Sequence, residues 1–148
     1  MVAQDGAFHK SMELFEAILC RMEQGATKGQ RLSVMEERLH GELQELGQLL
    51  LQEYIDAQGT GDLGPTVEYR GRALRRLEEV HDRRLVTVFG ELRISRTVYG
   101  TRETQRHEVV PLDARLGLPE GEFSPLLEDW AQSMCVDNAY GKSQKQLE

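Results

Sequence analysis

The chain has two cysteines, four prolines and one tryptophan among its 148 residues, and it has no long hydrophobic run. Cys20 and Cys135 stand in no Cys-x-x-Cys or Cys/His spacing, so no zinc finger is predicted. Reduced thiols are favoured for both cysteines, and a disulfide between them is the alternative. No segment approaches the roughly 18 apolar residues of a membrane span. The N-terminus has no apolar signal core, so we expect a cytoplasmic protein that does not associate with membranes.

Residues with recognisable catalytic spacing are also scarce. The four histidines are scattered, and no phosphate-binding loop of the GxxxxGK[ST] type occurs. Adjacent acids such as Glu36-Glu37 fall on a predicted helix surface. The glycine-rich stretch 59–64 follows a helical pattern rather than a strand, so it is interpreted as a helix stop. We therefore predict no catalytic residue, no metal site and no cofactor in this chain.

The length suits one domain, or one domain with a helical arm, and the patterns predict an α+β fold. Residues 1–58 are predicted to form a helical arm of two helices. Residues 59–112 are predicted to form a small antiparallel β region. Residues 113–148 are predicted to form a helical segment that opens an incomplete helix-turn-helix.

Helical periodicity dominates the first segment. Apolar residues at three- and four-residue steps predict a first helix over 8–22, and the glycine-containing stretch 24–30 is predicted to be a connection. A capping box of Ser33 and Glu36 predicts that a second helix starts at Ser33 and runs to Ala57. Its nearly heptad stripe suits either a partner chain or the domain itself, and packing against the first helix is favoured.

Strand patterns dominate the second segment. Residues 66–76 are predicted to form a hairpin that turns at Arg70-Gly71, and the polar stretch 77–83 is predicted to be a loop. Apolar and polar residues alternate over 85–89 and 92–99, which predicts two strands with a turn at Phe89-Gly90-Glu91. Residues 107–110 are predicted to add a further strand that Pro111 ends, and a proline-led loop follows.

The third segment is expected to be helical. Ser124 is a good N-cap, and Pro125 fits the first helical position. Trp130 and the methionines of the chain lie on helical stripes and are predicted to pack in the core. Val136-Asp137 is expected to break the helix, and a second helix over 138–148 would complete the start of a helix-turn-helix.

Charge is distributed unevenly along a chain whose net charge is −7. Residues 66–107 contain ten arginines and six acids, whereas both flanking segments are acidic. Arginine binds phosphate bidentately, so one cationic face of the sheet is a candidate DNA surface. The alternative is a solvated surface that the nearby acids neutralise. The candidate DNA-binding residues are Arg70, Arg72, Arg75, Arg76, Arg93, Arg96, Arg102, Arg106, Lys142 and Lys145.

Three stretches carry a resemblance: GTGDLGPTVEYRGRALRRL at 59–77, FGELRISRTVYGTRE at 89–103 and PLDARLGLPEGEFSPLLEDW at 111–130. They resemble the N-terminal region of ISKra-type insertion-sequence DDE transposases, and the likeness extends over residues 35–148. In that family a hairpin beginning with FGE is followed by a PLD-x-x-L-x-LP loop and then by a helical segment.

The resemblance implies a DNA-binding and assembly region of a transposase. The whole enzyme would cut and join DNA ends with Mg²⁺ held by acids of a downstream catalytic core, so this chain alone is expected to be inactive. Double-stranded DNA of terminal inverted repeats is the expected partner, with oligomer formation and a nucleoid location when DNA is bound. The alternative is a non-enzymatic interaction or dimerisation module. An enzyme acting on a small molecule is the least favoured reading.

Overall fold

The structure is a computed structural model that describes residues 6–101 and 107–145, without the side chains of 107, 108, 140 and 142–145. Within these ranges the chain forms helices and small antiparallel sheets, which confirms the α+β class. The helices are α1 (His9–Lys28), α2 (Leu32–Ala57), α3 (Pro111–Leu116) and α4 (Pro125–Lys145). The strands are β1 (Thr66–Tyr69), β2 (Arg72–Arg76), β3 (His81–Thr87), β4 (Gly90–Arg96), β5 (Tyr99–Gly100) and β6 (His107–Val109).

Helices α1 and α2 form an antiparallel hairpin. The carboxylate of Glu53 on α2 accepts hydrogen bonds from the backbone N–H groups of Lys10 and Ser11, at 3.0 and 3.1 Å, and from the Ser11 hydroxyl. These amides belong to the first turn of α1, where backbone donors have no partner within the helix. Because α1 has no side-chain cap of its own, Glu53 satisfies this helix end from a distant part of the chain.

At the other end of the hairpin Gly25 lies against the side chain of Met35. Gly25 is therefore a helical residue at a close helix–helix approach, and the predicted connection over 24–30 is wrong. Helix α1 continues to Lys28 and ends at Gly29, which adopts φ 60°. The predicted capping box is also wrong. Helix α2 begins at Leu32 with Arg31 as N-cap, and no side-chain hydrogen bond caps it.

The strands form two antiparallel sheets. One has the order β1-β2-β5-β6, and the other consists of β3 and β4. The hairpin over 66–76 is confirmed, and the two alternating strands are found as β3 and β4 with other bounds. Strand β4 ends at Arg96, so Tyr99 of the predicted second strand belongs to β5 in the other sheet. Strand β3 begins at His81, inside the predicted loop. Cross-strand pairing with β4 explains this extension, because His81 pairs with Arg96 and Asp82 pairs with Ser95. Partners on an adjacent strand outweigh the polarity of the local sequence.

The hydrophobic core lies between α2, the inner face of β3 and β4, and helix α3. Its buried members are Ile55, Leu85, Leu92, Ile94 and Leu112. The predicted proline-led loop is instead helix α3, which has its proline in the first turn, where a missing N–H costs nothing. The core therefore combines Ile55 of the first predicted segment with residues of the second, including Leu112, and Leu116 and Leu118 of the third pack against it. The segment boundaries themselves stay predictions.

Helix α4 differs from its prediction in two ways. It runs without interruption through Val136-Asp137, so the turn that a helix-turn-helix needs is not found between 125 and 145. Its start is confirmed, because the Ser124 hydroxyl accepts a hydrogen bond from the N–H of Leu127 at 3.2 Å. Trp130 and Met134 are 50% and 64% exposed, so the prediction that they pack in the core is wrong.

Other predicted core residues behave differently from one another. Met35 is buried, whereas Met12 is exposed.

Cys20 and Cys135 are both free and exposed. Among the described helices, none combines the length and the apolar character that crossing a membrane requires.

Candidate nucleic-acid interface

The hairpin of β1 and β2 carries four exposed arginines of the basic segment, Arg70, Arg72, Arg75 and Arg76. Across residues 66–76 every position is exposed except Val67 and Leu74, which anchor the hairpin. Strand β1 lies at the edge of its sheet, and β2 pairs with β5 at Arg75 and Arg76. The hairpin is therefore held at its base and leaves its tip and both flanks to solvent.

The tip of this hairpin is a two-residue turn. Arg70 and Gly71 both have positive φ, 50° and 74°, as a type I′ turn between antiparallel strands requires. The left-handed conformation is natural for glycine but unusual for arginine. The Arg70 guanidinium lies 5.1 Å from the centre of the Tyr69 ring, a distance at which the cation is attracted by the ring face. Arg70 is thus presented at the tip with its side chain close to Tyr69.

Arg72 and Arg75 lie on opposite faces of the hairpin. Arg72 pairs with Tyr69 and Arg75 with Thr66, and residues three apart on a strand point to opposite sides. Both are exposed. The hairpin therefore displays cationic groups at its tip and on both faces. The sequence predicted one cationic face, and this part of the sheet does not form one.

The outer face of β3 and β4 has mixed charge. Arg93 and Arg84 are cross-strand neighbours, and both approach Glu91, at 3.8 Å and 3.0 Å. The side chain of Arg93 is 74% exposed and that of Arg84 is 53% exposed. Glu91 and Asp82, which lies on the same face opposite Ser95, offset the two arginines, so this face has no net positive charge. The sequence prediction did not include Arg84, and a strand beginning at His81 would have placed it beside Arg93.

Arg76 belongs to a local ion pair. Its Nη1 donates to Oδ2 of Asp62 at 2.6 Å. This contact, with a further hydrogen bond from the Gly64 amide, lowers the pKa of Asp62 below its ordinary 3.8 and raises the pKa of Arg76. The buried Tyr99 hydroxyl donates to the Gly64 carbonyl at 2.6 Å and accepts from the Leu63 amide at 2.9 Å. Arg76 thus holds the loop before β1 and has part of its charge compensated.

Arg96 points inward and takes no part in the exposed cationic surface. It shares a strand face with Leu92 and Ile94, and its Nη1 donates to Oδ2 of Asp113 at 2.7 Å. Arg83 donates to the same oxygen at 3.3 Å and to the carbonyl of Gly121 at 2.7 Å. The Arg83 and Arg96 side chains are 15% and 13% exposed. They line an open cleft of about 540 Å³ beside helix α3.

Four predicted residues cannot be placed on this surface. Arg102 and Arg106 lie outside the described residues, and Lys142 and Lys145 lie outside the described side chains. Of the remaining six, the structure brings Arg70, Arg72 and Arg75 together on one hairpin. It places Arg76 and Arg93 beside acids and Arg96 inside the domain.

The described part of the chain contains no group of three or more His, Cys, Asp and Glu side chains arranged to hold a metal ion. No protein-family model matches this chain, and neither does any curated protein or solved structure.

Proposed function

We propose that this chain is a DNA-binding region of an insertion-sequence transposase and that its β1–β2 hairpin makes the main contact with double-stranded DNA. The observation that carries the proposal is the position of Arg70, Arg72 and Arg75 on one exposed hairpin. None of the three has an acidic side chain within ion-pairing distance among the described residues. They are therefore free to exchange water for phosphate.

The shape of the hairpin suits this role better than a flat surface would. The major groove of B-DNA admits a two-stranded β-ribbon. A ribbon inside a groove meets a phosphate backbone on each side. Arg72 and Arg75, on opposite faces of the hairpin, can therefore bind phosphates of the two backbones while Arg70 approaches the DNA at the tip. Each arginine that neutralises a phosphate releases condensed counterions, which makes the affinity depend on salt.

The family resemblance supports the same proposal from other residues. The FGE and PLD stretches, which carry it, meet in the fold through Arg96 on β4 and Asp113 on α3. The two motifs therefore belong to one structural unit that supports the hairpin. In this proposal the chain supplies contacts to terminal inverted repeats, and Mg²⁺ chemistry belongs to a catalytic core elsewhere in such an enzyme. A cytoplasmic, nucleoid-associated location is part of the same proposal.

An electrophoretic shift assay tests the proposal. The probes are a duplex with the terminal inverted repeat flanking the coding sequence and a scrambled duplex of equal length, at about 50 and 200 mM salt. Binding through three arginines predicts a log–log salt slope of about −3. The double variant Arg72→Gln/Arg75→Gln is expected to weaken binding and to reduce the steepness of the slope by about 2.

The matched control is Arg31→Gln/Arg38→Gln, which removes the same charge from two exposed positions, the N-cap of α2 and its second turn. It is expected to leave the slope nearly unchanged, because those arginines lie outside the hairpin. Absence of a shift with either duplex at micromolar protein would contradict DNA binding. An equal loss of binding in both double variants would contradict the assignment to the hairpin and would indicate a response to net charge alone.

A further inference from the structure

Helices α1 and α2 leave a large apolar surface exposed. Seven large apolar side chains on the two helices are 40–59% exposed, although the notably regular four- and three-residue spacing of those on α1 predicts burial. We call this surface the open face. It consists of Phe8, Met12, Phe15, Leu19, Leu43, Leu50 and Tyr54.

The residues of the open face lie on the same side of the hairpin. The contact seam between the helices is marked by Ser11 with Glu53 and by Arg21 with Glu42. Met12 follows the seam residue Ser11 by one position, and Tyr54 follows Glu53 by one. Each step of one residue rotates the side chain by about 100° in the direction of the chain.

Leu19 and Leu43 have the same relation to the seam. Leu19 follows the buried Ile18, and Leu43 follows Glu42. Because the two helices run in opposite directions, equal rotations along each chain turn both sets of side chains toward one side of the pair. The exposed residues of α1 and α2 therefore form one continuous surface rather than two separate stripes.

The size of the open face matches a protein interface. A large side chain presents roughly 200 Å², so seven side chains at about half exposure offer roughly 700 Å². The largest apolar patch on a typical monomer is about 300–600 Å², whereas a standard interface buries about 800 Å² on each partner. The open face is thus larger than a monomer usually leaves in water.

The charge of the chain limits where two copies of it can meet. The molecule has net charge −7, so two copies repel each other over most of their surfaces. Glu36 follows the seam residue Met35 and lies on the same side, near the start of α2. The seven side chains of the open face are themselves uncharged, so two copies can meet over them without placing like charges in contact. A two-fold contact uses the same patch on both subunits, and two helical hairpins stacked in this way form a four-helix bundle.

The geometry points to a second copy of this chain as the occupant of the open face, in a symmetric dimer built from two α1–α2 hairpins. This inference does not depend on DNA binding, and its test is made without DNA. Sedimentation equilibrium of the full chain at about 5–200 µM, a range that brackets a dissociation constant of tens of micromolar, is expected to show a monomer–dimer equilibrium. The variant Phe15→Glu/Leu50→Glu is expected to be monomeric over the whole range.

The matched control is Val34→Glu. Val34 is also an exposed apolar residue of α2, at 44%, but it lies one position before the seam residue Met35 and therefore on the other side of the hairpin. This variant is expected to dimerise as the parent chain does. Far-ultraviolet circular dichroism checks that each variant keeps its helix content, and Phe15→Gln/Leu50→Gln replaces the glutamate variant if that one unfolds.

Several outcomes would overturn the inference. A monomer at every concentration would mean that the open face does not bind a second copy. A dimer that survives the Phe15 and Leu50 substitutions but is lost in Trp130→Glu would place the contact on α4 instead. Equal loss in the Val34→Glu control would show that added charge, and not the open face, controls association.

Discussion

The side-chain amide of Gln52 forms two hydrogen bonds with the backbone of Arg93. Its Nε2 donates to the Arg93 carbonyl at 2.8 Å, and its Oε1 accepts from the Arg93 N–H at 3.0 Å. One helical turn earlier, Nε2 of Gln48 donates to the carbonyl of Glu91 at 2.7 Å. Helix α2 therefore occupies the free backbone groups along the edge of β4. An edge covered in this way cannot accept a further strand, which limits aggregation through that edge.

We expect Gln52→Ala to lower the free energy of unfolding by about 1–2 kcal/mol, because two hydrogen bonds of about 1 kcal/mol each are lost and water can replace part of them. Chemical denaturation measures the change. Gln24→Ala is the control, because within the described part of the chain the exposed Gln24 amide hydrogen-bonds only to Cys20, on the same helix. A loss no larger than that of the control would contradict the role of Gln52.

Asp113→Asn removes the only charge-compensating partner that Arg83 and Arg96 share among the described residues. Two poorly exposed guanidinium groups would then face each other, and the expected loss of stability is about 3 kcal/mol. Thermal unfolding measures it. Asp129→Asn, on the exposed surface of α4, is expected to change stability by less than about 0.5 kcal/mol. Similar melting of the two variants would show that the cluster contributes little.

Two glycines in the connection after α2 allow a matched comparison. Gly61 has φ 76°, and an added Cβ would lie 2.9 Å from the backbone nitrogen of Leu112. Gly59 has φ 71° and no atom within 4 Å of such a Cβ. Gly59→Ala should cost about 1 kcal/mol from the left-handed backbone alone, and Gly61→Ala should cost clearly more. Equal unfolding free energies would contradict the close approach of α3.

The ion pair between Asp62 and Arg76 predicts a pH dependence. Because the pKa of Asp62 is lowered in the folded state, chiefly by the hydrogen bond from Arg76, its contribution to stability is present above pH 3.8. That contribution is lost as the pH falls through the lower, folded-state pKa. Urea unfolding of the parent chain and of Asp62→Asn should therefore converge in stability below pH 3.8. A constant difference at all acidic pH values would contradict this linkage.

Much of the fold follows from local patterns in the sequence. The β1–β2 hairpin was predictable because Arg70-Gly71 suits a tight turn and Val67 and Leu74 alternate with polar residues. The start of α4 was predictable because Ser124-Pro125 combines an N-cap with a first-turn proline. These features depend on neighbouring residues alone, and the structure confirms both.

Ser33 has the side chain of an N-cap, yet α2 begins at Leu32 and no side-chain hydrogen bond caps it. The other errors share a physical cause, which is that residues distant in the sequence decide the outcome. Gly25 has the sequence character of a breaker, yet contact with Met35 keeps it helical. Arg96 follows Ile94 by two residues, so the alternation of the strand already places it on the core face with Leu92 and Ile94. What the alternation could not show is that Asp113, on α3, would compensate its charge there.

The cap that Glu53 provides has a consequence for how the chain acquires its shape. The first turn of α1 depends on a carboxylate that is translated more than 40 residues later. The amides of that turn therefore have no capping partner until α2 has emerged from the ribosome. Closing such a long loop costs entropy before the contact stabilises anything. We therefore expect the start of α1 and the end of α2 to fold together in one cooperative step, and not in the order in which they are synthesised.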